Sequence, residues 1–233
     1  ADELDEWCRQ TQWPDHGDTV EDTDEGCRLR VQMLAEGGWL KWCVPQAFGG
    51  RTEKLDVRSL CLIRETLARY DALADFSFAM QGLGSGAVSI LGNPEQQHDF
   101  LNAVSEGRKI AGFALSEPEA GSDVASMKAR AIPTQDGWKL NGEKSWISNG
   151  GIADFYTLFA RTGDQSGTSG ISAFLLEADN PGLSIAERQE VMAPHPLAKL
   201  ELNDVFLHQN TLLGEEGKGF GIAMTTLDIF RPT

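Results

Sequence analysis

Hydrophobic periodicity changes once along this chain, and the change divides it. Up to Lys109, apolar residues recur at the 3.6-residue spacing of helices that bury one face. Beyond it they come as short alternating runs broken by turn residues, the period-2 pattern of strands. This predicts an α+β fold: an all-α N-terminal domain over residues 1–110, a middle β-barrel or sandwich domain over 111–216, and the opening of another helical segment over 217–233.

In the helical half, Thr19 reads as an N-cap at the start of a pattern that improves from Asp18. Glu21, Asp22 and Glu25 follow in the first turns, and Gly37 and Gly38 stop the helix. Residues 55–70 and 72–91 read as packing helices; Asn93, Pro94 and Gln96 supply an N-cap, a helix-starting proline and a capping-box partner for a short helix to Val104. Residues 1–17 read as an irregular or partly helical arm, and 39–50 as an aromatic loop. The run Gly82-Leu83-Gly84-Ser85-Gly86-Ala87 satisfies the dinucleotide pattern G-x-G-x-x-[GA], but a helical run precedes it where a strand is required, so its glycines are read as allowing close helix or ligand approach. In the second half, strands are expected at 128–132, 138–141, 145–148, 155–161, 171–176 and 200–206. Residues 214–219 fail the P-loop spacing and read as a hinge before a helix from Phe220.

A formal net charge of -15, from 35 acidic against 20 basic residues, excludes a basic surface for nucleic acid or anionic lipid. The longest apolar stretch, 72–91, contains Asp75, Gln81 and three glycines and is a buried helix rather than a membrane span. No signal peptide is visible. Four cysteines without C-x-x-C or histidine spacing argue for reduced thiols and no metal site, which fits a reducing compartment; the expected location is a bacterial cytoplasm or a mitochondrial matrix.

Two segments carry candidate chemistry. Residues 113–126, F-A-L-S-E-P-E-A-G-S-D-V-A-S, read as a strand running into a polar turn. There Gly121 can adopt positive φ and admit close approach, and Ser116 and Ser122 offer hydroxyls; Glu117, Glu119 and Asp123 would repel a phosphate unless turned away. Residues 141–151, N-G-E-K-S-W-I-S-N-G-G, follow. Together these segments resemble the two signature segments of the acyl-CoA dehydrogenase family of flavoproteins. The first matches at every constrained position, and the second matches in its lysine, tryptophan, aliphatic, serine, asparagine and glycine.

That resemblance implies FAD as cofactor and α,β-dehydrogenation of an acyl-CoA to the trans-2-enoyl-CoA, with hydride passing to flavin N5. By resemblance Phe113 through Ser116 line the flavin edge, with the Leu115 N–H and the Ser116 hydroxyl toward its pyrimidine ring, Gly121 and Ser122 reach the FAD pyrophosphate and neighbouring CoA, Trp146 with Ile147 lies against the flavin, and Ser148 bonds N5. Leu227-Asp228-Ile229-Phe230-Arg231-Pro232 resembles the family's substrate-facing helix, with Asp228 and Arg231 toward CoA and Leu227, beside Met80, Gln81 and Leu83, toward the acyl group. Phe230 stands where some members carry the catalytic glutamate; most supply it from a C-terminal helical bundle expected outside these residues, so no catalytic base is assigned. The same resemblance implies an electron-transfer flavoprotein or another acceptor, and homo- or hetero-oligomers built through that bundle. Residues 192–196, M-A-P-H-P, depart from the family's Gly- and Arg-containing loop, and His195 reads as a surface residue. A flavin oxidase or monooxygenase on the same fold, or a non-catalytic flavin- or CoA-binding subunit, remain the alternatives.

Overall fold

The computed structural model describes residues 2–15, 17, 19–164 and 167–232; Asp18 lies outside them. Helix α1 (Asp2–Gln10) is fully formed. It buries only Leu4 and Cys8, one i,i+4 pair, too few for a readable period. Helix α2 (Val20–Glu36) starts on a capping box, with the Thr19 hydroxyl accepting from Asp22 N and the Asp22 carboxylate accepting from Thr19 N. Helices α3 (Val57–Tyr70) and α4 (Ala72–Leu91) follow. The buried Arg30 guanidinium ties α2 to the start of α4 by donating at 2.7 and 2.6 Å to Asp71, whose carboxylate also caps Ala74 N. Short helices α5 (Pro94–Gln96) and α6 (Asn102–Ser105) flank a wide turn at Gln97–Leu101 and lead into the sheet.

Eight strands follow: β1 (Ala111–Ala114), β2 (Arg130–Pro133), β3 (Gly137–Ser148), β4 (Phe155–Arg161), β5 (Ile171–Glu177), β6 (Leu183–Arg188), β7 (Leu197–His208) and β8 (Leu212–Leu213). They lie in the order β6-β7-β3-β2-β4-β5-β8, with β1 pairing parallel to β4. Side-chain alternation separates two cores. Tyr156, Leu158 and Ala160 of β4 join Leu140, Phe174, Leu200 and Val205 within the β half, whereas Phe155 and Phe159 face the helices. On that outer face Phe155 meets Phe100 at 4.8 Å and Thr157 donates to Gly84 O at 2.7 Å. Helix α7 (Gly219–Phe230) closes against α4 and β5.

Two expectations are corrected. Residues 138–141 and 145–148 belong to a single strand, because 142–144 still pair with β7; the register slips between Leu140 and Gly142 and again between Lys144 and Ile147. Strand β6 was not anticipated, since its largely exposed edge position needs no alternating apolar face. Of residues 214–219, read as a hinge, 214–218 form a turn fastened to β5 by Gly217 N donating to Ser172 Oγ at 2.8 Å, and Gly219 opens α7.

The glycine run of α4 has a packing explanation. A Cβ at Gly84 would lie 2.6 Å from Ala111 Cβ and 2.8 Å from Gly112 N, while Gly82 and Gly86 face the Phe230 ring. Helix α4 thus approaches β1 on one side and α7 on another. Gln81, a pocket candidate from the sequence, is instead fully buried: its amide donates to Lys109 O at 2.9 Å and accepts from Ala111 N at 2.8 Å. Met80 and Leu83 are half-buried.

Candidate functional site

The site forms where β1 runs out beside the second slip in β3. Strand β1 is held on every side: Asn149 Nδ2 donates to Ala111 O at 2.8 Å, Asp154 accepts from Ile110 N at 2.6 Å, and Gln81 accepts from Ala111 N. Past the strand, Ser116 O accepts from Ser145 N at 2.9 Å, which sets Ser116 directly beside Trp146.

Trp146 has φ 58° and is 58 % exposed. A large side chain in the left-handed region is strained, and a tryptophan normally buries most of its surface, so two rules are broken at one residue. The extra residue of the β-bulge causes both, turning the indole out of the sheet while Ile147 returns to the core. The bulge is pinned by Gln189, just past β6, whose Oε1 accepts from Trp146 N at 2.9 Å and whose Nε2 faces Ser145 Oγ at 3.4 Å. Ser148, two residues on, is half-buried. The hydroxyls of Ser116, Ser122 and Ser148 and the Ser116 N–H have no hydrogen-bond partner among the described residues.

Below this surface lies a buried ion pair. Lys144 Nζ, with no exposed side-chain area, donates to Glu117 Oε1 at 2.8 Å and to Leu115 O at 3.1 Å. The Glu117 carboxylate also accepts from Lys128 N at 2.6 Å and Ala129 N at 3.1 Å. Burial pushes the Lys144 ammonium below its ordinary pKa, and Glu117 pulls it back up. Glu117 therefore turns inward, away from any anion the loop meets; Glu119 turns outward to exposed Lys128.

The other predicted residues are distributed as follows. Phe113 packs on Phe159 at 5.1 Å. Leu115, Ile147 and Leu227 send their side chains into the cores, leaving backbone groups to face a ligand. Gly121 departs from expectation: it is not among the positive-φ residues, because the Glu117–Ala120 turn closes before it through bonds of 3.1 and 3.2 Å. A Cβ there would meet nothing within 4 Å, so the space over the loop is open, with Ser122 exposed beside it. Asp228 on α7 and Arg231 at its C-cap are exposed, and no hydrogen bond or ion pair joins either side chain to the Ser116–Trp146 surface. His195 is half-buried and stacks on Phe76 of α4 at 4.4 Å, which seats its loop on the helical half and corrects its reading as a surface residue.

An outward flat indole, with unspent hydroxyls and an unspent N–H on neighbouring residues, suits a planar conjugated ring with polar edges. The chain matches the acyl-CoA dehydrogenase N-terminal domain over residues 1–108 and the acyl-CoA dehydrogenase middle domain over residues 112–205. It belongs to the acyl-CoA dehydrogenase family. It is 38% identical over 217 residues to the probable acyl-CoA dehydrogenase FadE25 of Mycobacterium tuberculosis, covering 91% of this chain and 55% of the relative. Among solved structures, butyryl-CoA dehydrogenase from Megasphaera elsdenii superposes with a TM-score of 0.84 at 32% identity, covering 99% of this chain and 61% of that one. An acyl-CoA dehydrogenase complexed with FAD from Bacillus anthracis superposes with a TM-score of 0.78 at 32% identity, over 99% and 38% of the two chains. The chain thus spans about half the length of the curated acyl-CoA dehydrogenases it matches.

The sequence alone assigns no structural role in this site to four residues that build it. Lys144 and Glu117 lay inside the two signature segments, but nothing in sequence showed them to be partners. Asn149 and Gln189 act through long-range contacts that only the fold supplies.

Proposed function

We propose that this chain forms the flavin-binding portion of an FAD-dependent acyl-CoA dehydrogenase that converts an acyl-CoA thioester to the trans-2-enoyl-CoA. The observation that carries this reading is Trp146, outward and left-handed, with Ser116 on the segment bonded beside it and Ser148 two residues on, both hydroxyls without a partner among the described residues.

When bound, FAD supplies the acceptor for hydride from the acyl β-carbon. This chain's residues bind and orient. Trp146 offers a ring face, while Ser116 N–H, Ser116 Oγ and Ser148 Oγ supply donors for the flavin's polar edge and N5. Gly121 and Ser122, on the open side of the loop, would hold the pyrophosphate, and Asp228 of α7 with Arg231 at its C-cap would be the charged groups for the CoA moiety. Phe230 cannot accept a proton, so a carboxylate elsewhere takes the α-proton. The partners proposed with this reading are an electron-transfer flavoprotein as acceptor and further copies of the enzyme. The four cysteines are free thiols, which fits a reducing compartment, and no described helix is long and apolar enough to cross a membrane.

The test uses the product of the complete native gene. It takes up FAD, its flavin is bleached by an acyl-CoA, and S148A and W146A slow that bleaching at least tenfold. A flavin-loaded protein that no acyl-CoA reduces overturns the assignment, and rapid reoxidation by oxygen reassigns it as an oxidase.

A further inference from the structure

A buried ion pair is an expensive way to hold a turn, since desolvation offsets most of its attraction and a well-packed apolar pair does as well. Lys144 and Glu117 are nonetheless fully enclosed, and each makes contacts beyond the pair. Glu117 accepts from the backbone of Lys128 and Ala129, and the ammonium rests on a single carbonyl, Leu115 O, at 3.1 Å. That carbonyl belongs to the same peptide unit as the Ser116 N–H, which donates to nothing among the described residues. Charge placed on a peptide oxygen draws electron density from its N–H and makes it a stronger donor. The peptide lies beside Trp146, through Ser116 O and Ser145 N at 2.9 Å.

We propose that Lys144 is an electrostatic positioning residue for the redox site: its ammonium on Leu115 O strengthens the Ser116 N–H as donor to the negative charge that gathers on the flavin's pyrimidine ring on reduction, with Glu117 fixing the ammonium in place. This rests on the flavin reading above. It adds that the two signature segments are coupled by charge beneath the cofactor, and that the coupling favours reduced over oxidised flavin.

The test is the reduction potential of bound FAD in the product of the complete native gene. In K144M/E117Q both charges are gone, while the carboxamide oxygen introduced by E117Q still accepts from the backbone N–H of Lys128. Apoprotein melting falls, because one carboxamide oxygen cannot serve both Lys128 N–H and Ala129 N–H and Leu115 O loses its ammonium; in the protein that folds and takes up FAD, the preference for reduced flavin drops at least tenfold, a midpoint lower by about 30 mV for a two-electron couple. In E117Q the midpoint, compared with K144M/E117Q at each pH, lies higher where the ammonium is charged and converges on it as pH rises, because losing Glu117 lowers the Lys144 pKa further. That convergence is the signature, because a merely structural role leaves the difference between the two variants independent of pH. An unchanged midpoint in folded, FAD-loaded K144M/E117Q overturns the proposal, as does a difference between the variants that does not change with pH. Wild-type protein that takes up no FAD removes the flavin reading itself, and that result is seen before any substitution is made.

Discussion

Trp146 shows most directly how a single residue separates folding from function. Its left-handed backbone costs about 1–2 kcal/mol relative to an ordinary conformation, and its exposed ring returns little burial. Glycine relieves that strain, at about 0.5–1 kcal/mol of its own chain entropy. W146G is therefore expected to leave apoprotein melting unchanged or slightly raised while weakening FAD binding at least tenfold, checked by thermal denaturation and a flavin titration. A tryptophan kept for packing would give the reverse. Cys27 gives a second residue-scale expectation. Burial, only partly offset by its contact with Ser77 at 3.2 Å, pushes its thiol from 9.0 up to about 11. The unfolded chain releases this proton near pH 9 and the folded chain holds it to about 11, so folding binds the proton and stability falls as pH climbs through that window. The stability advantage of wild type over C27A is expected to shrink between pH 9 and 11 by on the order of 2 kcal/mol in denaturant titrations. The serines and the tryptophan were legible because their signature is local in sequence. Gln189 was not, because it reaches Trp146 only after β6, β7 and β3 have lined up.

At the scale of elements, α4 is shaped by what it must approach. An alanine at Gly84 meets the backbone of Ala111 and Gly112, which cannot give way without moving β1; at Gly82 it meets the Phe230 ring, which can be trimmed, and at Gly86 both Thr226 and that ring. G82A is expected to cost about 1–3 kcal/mol through overpacking, most of it recovered in G82A/F230L. G84A should cost at least as much, with no recovery from F230L. Chemical denaturation of the four variants reads this coupling directly, and equal rescue at both positions would mean that α4 moves as a body. The same physics explains which elements could be read in advance. Helices α2 to α4 announce themselves through caps and a sustained period, and β4 through its fully apolar run. Strand β3 reads as two because its polar middle, Gly142-Glu143-Lys144, lies between two register slips, the second of which turns Trp146 outward. Helix α1 was too short and β6 too exposed to leave a pattern.

Across the whole molecule, the helical and β halves meet along a seam that the change of period located but did not describe. Buried polar bonds cross it at Gln81 to Ala111 and at Thr157 to Gly84, Asn149 Oδ1 faces Cys27 Sγ at 3.9 Å, and His195 stacks on Phe76. At its edge Arg188 of β6 bonds Asp24 of α2 and donates to Gly150 O at 2.9 Å, just past the motif strand. Burial outweighs these contacts and holds the Asp24 carboxyl above its ordinary pKa. R188M strips Asp24 of its compensating charge. With the two side chains about a quarter exposed, the loss is expected to be about 1–2 kcal/mol rather than the larger cost of a sealed pair. A carboxyl whose folded pKa is raised adds stability at low pH and loses it as pH rises through the folded value, and removing Arg188 lifts that value further. The R188M deficit should therefore be greatest near neutral pH and shrink as pH falls toward the ordinary aspartate range, and R188M/D24N should remove much of it at about pH 7. A deficit that ignores pH would mean that Arg188 acts through Gly150 alone, and the seam would then be held by its neutral bonds.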